Sequence, residues 1–245
     1  VLKEFRADLH IHTCLSPCGD LNMSPDRIVN EAVRKRLDLI AICDHNSTEN
    51  SAALMEAARG KALSVLPGLE ITSREEVHIC ALFGGLDEAL KMQALVYEHL
   101  EGENDEQAFG MQVVVDARGG VLGSNRRLLI GASSLSVEQV VAAIHARNGL
   151  AVASHVDRER FGIIGQLGFI PPQLALDALE ISPHLSLVQA REKFREYERY
   201  PFLCSSDAHD PADIGAAATR LLLERASFEE LKMALKGGQQ RRVLN

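Results

Sequence analysis

Short apolar runs alternate along the chain with longer stretches whose apolar positions recur at helical spacing. The extended runs are "LDLIAICD" (37–44), "ALSVLPGLEIT" (62–72), "VHICALFG" (77–84), "GLAVASHV" (149–156), "ALEIS" (178–182), "FLCSSD" (202–207) and "TRLLLE" (219–224). Between them lie amphipathic patterns at 24–36, 50–60, 87–100, 136–149, 185–199 and 227–238, several opening on Ser or Asp and closing on Gly. Ahead of all of these, "DLHIHT" reads as a first strand with Asp8, His10 and His12 at every second position. In a strand those three side chains share one face, which makes poor core material.

Strands separated by helices predict a parallel α/β sheet, either closed into a barrel or open and doubly wound. Residues 101–135 break the rhythm. They are Gly-rich and charged, and too long for a routine connection, which predicts a lid, a binding loop or a surface excursion.

Composition narrows the function classes. A hydrophobic fraction of 46% and a charged fraction of 24% are those of an ordinary globular protein. No window approaches a membrane span, and "VLKEFRADLH" has no apolar signal core, so the expectation is a cytoplasmic protein with no membrane partner. Five cysteines, an odd number, fit a reducing compartment. A formal charge of −8 argues against a broad nucleic-acid footprint, and 4% aromatics with no Trp against a base-stacking platform.

The chemistry gathers at strand ends. "CDHN" gives Asp44 and His45, "GLEIT" gives Glu70, "VHI" opens on His78, "SHVDR" gives His155 and Arg158, and "SSDAHD" gives Asp207 and His209. Parallel α/β folds bind ligands at the carboxyl ends of their strands. Imidazole and carboxylate are the usual ligands of zinc, manganese and iron, and a carboxylate can bridge two ions. With His10 and His12, six of the nine histidines fall in this set, which points to a metal centre. His99 and His145 lie in helical patterns and read as surface or locally satisfied groups, whereas His184, just after a strand, is a candidate substrate contact.

In this order, "DLHIHT", "CDHN", "GLEIT" with a following "H", "SHVDR" and "SSDAHDPADIG" resemble the motifs of the polymerase and histidinol phosphatase (PHP) family. The resemblance runs from Asp8 to about Leu223 apart from 101–135, and implies a single domain over 1–245 with 101–135 as an insertion. It implies a distorted (β/α)7 barrel with two or three divalent ions, zinc, manganese or iron, at the C-terminal ends of its strands. Carried over, His10, His12, Glu70 and Asp207 hold a first ion. Glu70 bridges to a second held by His78 and His155, and His45 and His209 hold a third. Asp8 and Asp44 orient imidazoles by accepting their other N–H. The loop "CLSPCGD" departs from the family's usual turn and offers Cys18 or Asp20 as the last ligand. Asp20 is preferred, since an exposed thiol in a hydrolytic site invites oxidation, and Cys14 is expected to pack as an apolar residue.

The expected chemistry is metal-assisted hydrolysis by a bridging hydroxide, with Arg158 gripping phosphoryl oxygens and Asp207 or His209 carrying a proton. The expected substrate is a small phosphomonoester, a metabolite or nucleotide, with no stable nucleic-acid partner. The alternatives are a phosphodiesterase or exonuclease on short oligonucleotides, an amidohydrolase cleaving C–N bonds, and a non-enzymatic metal-stabilised module.

Overall fold

Ser and Pro punctuation sets many of the element boundaries. The computed structural model describes residues 1–244. The chain begins with β1 (Lys3–Ile11), α1 (Pro25–Arg34), β2 (Leu39–Ile42), α2 (Ser51–Ala57), β3 (Ser64–Thr72), β4 (His78–Leu82) and α3 (Leu86–Glu98). It continues with α4 (Glu106–Phe109), β5 (Val113–Val115), β6 (Val121–Ser124), α5 (Val137–Ala146), β7 (Leu150–Ala153) and α6 (Ile163–Leu167). The last elements are β8 (Ala178–Ile181), α7 (Leu187–Lys193), β9 (Phe202–Cys204), β10 (Thr219–Leu223), α8 (Phe228–Leu235) and β11 (Arg242–Leu244). Pro25 opens α1 directly after Ser24, and Ser136–Gln139 and Ser186–Gln189 form capping boxes at α5 and α7.

The main sheet runs β11-β10-β1-β2-β3-β4-β7-β8-β9. Its seven middle and later strands, β1 to β4 and β7 to β9, curl into a nearly closed barrel. A parallel bridge between Ile11 and Ala208 draws its two ends together. This is the distorted (β/α)7 arrangement expected from the sequence. The sheet is not all parallel: β4 runs antiparallel to both β3 and β7, because only a short turn separates it from β3. That reversal puts His78, the first residue of β4, opposite Thr72, at the same end as the last residues of β3.

Inward residues alternate along each strand, as in Leu39, Ala41 and Cys43 of the β2 region, Cys80 and Leu82 of β4, and Leu150 and Val152 of β7. Phe228, Leu231 and Leu235 of α8 join this interior cluster and plug the end of the barrel away from the histidines. Outward residues pack under the helices, with Ile40 and Ile42 against α1 and α2, and Ile79 and Ala81 under α3 and α5. Among the described residues no helix is long and apolar enough to cross a membrane.

One irregularity in β1 corrects the first-strand reading. Its pairing with β2 shifts register between Asp8 and Ile11, the mark of a β-bulge. Ala7 and Leu9 face the barrel interior, Ile11 faces out under α1, and His10 and His12 therefore both turn inward. Asp8 does not share their face. It points toward the segment before β10, where it accepts hydrogen bonds from Ser206 N–H (2.9 Å), Ser206 Oγ (2.6 Å) and Gly215 N–H (2.8 Å).

Residues 101–135 are folded, not a loose excursion. They carry α4 and the β5–β6 hairpin, and they wall the histidine end of the barrel. Val113 N–H donates to Cys14 O (3.0 Å), and Asn46 Nδ2 donates to Leu129 O and Gly131 O (2.8 Å each). Leu129 packs with Leu15 and Leu100. Gly110 (φ 104°) lies so close that a Cβ there would sit 2.2 Å from Pro17 O, so only glycine fits.

Asn50 ties the insertion to the first loop: Nδ2 donates to Thr13 Oγ1 (2.9 Å) and Val113 O (3.0 Å), and Oδ1 accepts from Val115 N–H (3.0 Å). Asn50→Ala leaves these buried groups unpaired and should destabilise the protein by about 1–3 kcal/mol. Limited proteolysis should then cut within 101–135 well before the barrel. Unchanged denaturant midpoint and cleavage pattern would show that the insertion is held elsewhere.

Candidate metal centre

The barrel directs its inward side chains at the histidine end onto one carboxylate. Glu70, near the end of β3, is 1% exposed. Around it lie His78 Nδ1 at 2.9 Å, His45 Nδ1 at 3.2 Å, His155 Nε2 at 3.3 Å, His10 Nε2 at 3.4 Å and His12 Nε2 at 3.6 Å. Asp207 joins from the other side, its Oδ1 3.1 Å from His12 Nε2 and 3.4 Å from His10 Nε2. His209 stacks on His12 with ring centroids 4.1 Å apart, and its Nδ1 donates to Asp207 O at 2.8 Å.

Backbone irregularity aims several of these groups. Asn46, His155 and Asp207 all hold positive φ, at 52°, 29° and 51°, a left-handed conformation that costs free energy in non-glycine residues. Compensating hydrogen bonds hold these turns: Asn46 Oδ1 accepts from Thr72 N–H (3.1 Å), and His155 N–H donates to Glu180 Oε1 (3.2 Å).

The charges are arranged for cations. Burial alone would raise the Glu70 carboxyl, but His78 and His10 outweigh it and hold the group well below the usual carboxylate range. Asp207 is likewise held low against its burial, chiefly by His10 and His12. Burial and the neighbouring His209 keep His12 neutral. Four buried atoms here, His45 Nδ1, Glu70 Oε1, His78 Nδ1 and His155 Nδ1, have no hydrogen-bond partner. Buried polar atoms are rarely left so, and their convergence fits metal coordination. The sets His10/His12/Glu70, His45/Glu70/His78 and His12/His45/His209 each bring ligand atoms within 4.8 Å of one another.

The structure places the remaining expected residues differently. Asp44 accepts from Thr13 N–H, Thr13 Oγ1 and Ser16 Oγ, each at 2.7 Å, and reaches an imidazole only through Ser16, which contacts His12 Nδ1 at 2.9 Å. Asp8 reaches no imidazole and instead ties down the segment bearing Asp207 and His209. Asp20 is exposed, and its carboxylate accepts its own turn's Asn22 N–H at 2.7 Å, away from the cluster. Cys18 comes to the cluster instead, with Sγ 3.2 Å from His45 Nε2. Desolvation of its thiol is more than offset by His209 and His45, which pull it down to about 6. Cys14 is buried, as expected. Arg158 Nη1 donates to Asp207 Oδ2 at 2.6 Å, beside the cluster. His184 is exposed and lies outside it. His145 pairs with Asp177 at 2.8 Å, a local contact like that of His99 with Leu95 O at 2.9 Å.

Glu180 was missed. It lies in β8, 2% exposed, with Oε1 2.9 Å from His10 Nδ1. As the acceptor of this bond it makes Nδ1 the donor and leaves His10 Nε2 facing Glu70. The signal was present as a lone acid inside the apolar strand "ALEIS". Glu180→Gln keeps the shape but lets the ring choose either tautomer. Metal affinity should fall about 10–100-fold with the fold intact, by equilibrium dialysis and circular dichroism. Undiminished affinity would make Glu180 a packing residue.

Comparison with known proteins fits this geometry. Residues 8–168, more than half of the chain, match the PHP domain, and residues 189–239 match the PHP-associated family. The chain is 26% identical over 260 residues to the uncharacterized protein YqxK of Bacillus subtilis, covering 99% of the chain and 65% of that protein. It is 26% identical over 171 residues to the 5'-3' exoribonuclease Rnm of Escherichia coli, covering 68% of the chain and 57% of Rnm. Among solved structures, the lesion-specific endonuclease Q of Pyrococcus furiosus superposes with a TM-score of 0.78 at 17% identity, over 98% of the chain and 58% of that protein. Endonuclease Q bound to a 27-mer duplex with an abasic lesion at its active site gives 0.79. A proposed metal-dependent phosphoesterase from Bifidobacterium adolescentis gives 0.61 at 21% identity, over 95% of the chain and 96% of that protein. The chain thus spans less than two thirds of YqxK, Rnm and endonuclease Q. The expectation of a small phosphorylated substrate with no stable nucleic-acid partner is corrected here by what the chain resembles: Rnm is an exoribonuclease, and endonuclease Q is held on a DNA duplex. With its ordered His and carboxylate motifs, its barrel and this sequence match, the chain belongs to the PHP family of hydrolases.

Proposed function

We propose that the chain is a metal-dependent phosphodiesterase that cleaves the backbone of oligonucleotides. One observation carries the reading. Arg158 and Phe161, on one loop, put a phosphate-binding group and an exposed aromatic ring directly beside the His/carboxylate cluster. Arg158 is 39% exposed, spends one N–H on Asp207, and its other donors have no partner among the described residues. Phe161 is 36% exposed and stacks on His78 at 4.4 Å, and its carbonyl accepts from His78 N–H at 2.9 Å. A guanidinium fork suits phosphate oxygens, and a ring face suits a base. Exposed Arg126 and Arg127 add charge on the insertion, where Arg127 lies 4.3 Å over the Tyr97 ring. The likeness to Rnm supports the same substrate class.

His10, His12, Glu70 and Asp207 would hold one ion, Glu70, His78 and His155 a second, and His45 and His209 a third. When bound, such ions supply charge that polarises the phosphoryl group and activates water. The side chains do the rest. Glu180 fixes the His10 tautomer, and Ser16, backed by Asp44, fixes His12. Asp207, held ionised, is an acceptor only. It aims Arg158. Arg158 takes up charge as it builds on the phosphoryl oxygens.

End-labelled RNA and DNA oligonucleotides incubated with zinc, manganese or iron should be shortened, and a chelator should stop the reaction. Glu70→Gln should abolish cleavage and lower metal content by at least one ion per chain. Oligonucleotides left intact with every metal would sink the proposal. Arg158→Ala should lower kcat/KM about 10–100-fold, the loss of one or more charge-assisted hydrogen bonds, without changing metal content. Unaltered kcat/KM would reduce Arg158 to an anchor for Asp207.

A further inference from the structure

We infer that Cys18 completes, with His45 and His209, a mixed thiolate–imidazole site for a zinc-like ion at the mouth of the cluster. The inference rests on the metal-centre reading above and adds this chain's own ligand to it. The position of Cys18 is set by backbone bonds on both sides. Gly19 N–H donates to Ser16 O (2.9 Å), and Asp20 N–H donates to His209 O (2.8 Å), which draws the loop against the segment carrying Asp207 and His209. The clamp that seats Cys18 turns the Asp20 carboxylate back on its own turn. Pro17 is wedged against Gly110 of the insertion, which leaves the loop little room to rearrange.

Cys18 Sγ then lies 3.2 Å from His45 Nε2, and His209, tied to the same loop through its carbonyl, offers a ligand atom within 4.8 Å of one on His45. On a tetrahedral zinc, with Zn–S about 2.3 Å and Zn–N about 2.0 Å, sulfur and nitrogen ligands sit roughly 3.5 Å apart. His45 is a second, independent pointer to a ligand. It is 6% exposed, its Nδ1 faces Glu70 at 3.2 Å and so leaves Nε2 toward Cys18, and it belongs to a set with His12 and His209 whose ligand atoms lie within 4.8 Å. A hydrogen-bonded Cys–His pair alone would not need two further imidazoles, His12 and His209, gathered at the same His45 ring. Sulfur with imidazole nitrogen selects zinc or cobalt over manganese, whereas an oxygen ligand in the same place would relax that choice.

Cobalt(II) substitution of the full chain reads the thiolate directly. Cobalt-loaded protein should show a near-ultraviolet sulfur-to-cobalt charge-transfer band. It should vanish in Cys18→Ser and persist in Cys204→Ser, the other cysteine that is not buried. Cys18→Ser should also weaken zinc binding at one site by tenfold or more, and Cys18→Asp should restore stoichiometry with manganese. In the unmutated protein, zinc should slow alkylation of Cys18 and manganese should not. Cobalt bound with ligand-field bands but no charge-transfer band, or a band that survives Cys18→Ser, overturns the inference while leaving the inner centre standing. Failure to bind any cobalt overturns both.

Discussion

A single carboxylate, Glu70, has five imidazoles within 3.6 Å and almost no water. A carboxylate offers about four lone-pair positions, and each neutral imidazole offers one N–H. Protonating the rings to pair with Glu70 would crowd like charges, as His10 and His12 already approach nitrogen to nitrogen at 3.1 Å. Hydrogen bonding therefore cannot satisfy the set, and the four orphaned atoms record the shortfall. Cations would resolve it, because an ion can accept lone pairs from several rings and from the carboxylate at once. The remaining architecture brings that many polar side chains to one point and prevents them from choosing other partners.

The barrel does this through departures from regularity. A regular β1 would send Leu9 and Ile11 inward together and His10 outward, and the bulge re-phases the strand so that both histidines turn in. A fully parallel sheet would put His78 at the wrong end of β4, and the reversal of that strand brings it beside Glu70. Positive φ at His155 and Asp207 bends chain ends back over the opening. Such local costs persist only when the surroundings over-determine them. Here the surroundings are specific: Asp8 on Ser206 and Gly215, Asp44 on Thr13 and Ser16, and Glu180 on His10 and the His155 N–H. Asp8, Asp44 and Glu180 thus act as fasteners of the loops and rings that carry the inner set.

The strand-end histidines, the α/β rhythm and, through the ordered motifs, the barrel were legible in the sequence because each depends on local periodicity and residue type. What could not be read depends on pairing at long range. The alternation in "DLHIH" implies one shared face for Asp8 and His10, and nothing local announces the bulge that separates them. Glu180 is 170 residues from His10, so only the closed barrel makes them partners. Asp20 and Cys18 are equivalent candidates by spacing. The hydrogen bond from Asp20 N–H to His209 O sets which of the two side chains faces the cluster, and it joins two loops from opposite ends of the chain. The insertion reads as a loop because its Gly content and charge obscure a hairpin whose support comes from Asn46 and Asn50 elsewhere.

Net charge is a poor guide to this site for a different reason. A net charge of −8 describes the polypeptide alone. It speaks to long-range attraction for a nucleic-acid backbone and not to the potential at one site. Divalent ions held by Glu70, Asp207 and neutral imidazoles would bring more positive charge than the two carboxylates cancel, so the mouth of the barrel would be locally cationic in an acidic chain. Such a site suits gripping one scissile phosphate and its neighbours better than tracking a long duplex. Half-exposed Arg158 and exposed Phe161 beside the cluster match that scale. Acidic composition and phosphodiester chemistry are compatible once the ions are counted as part of the surface the substrate meets.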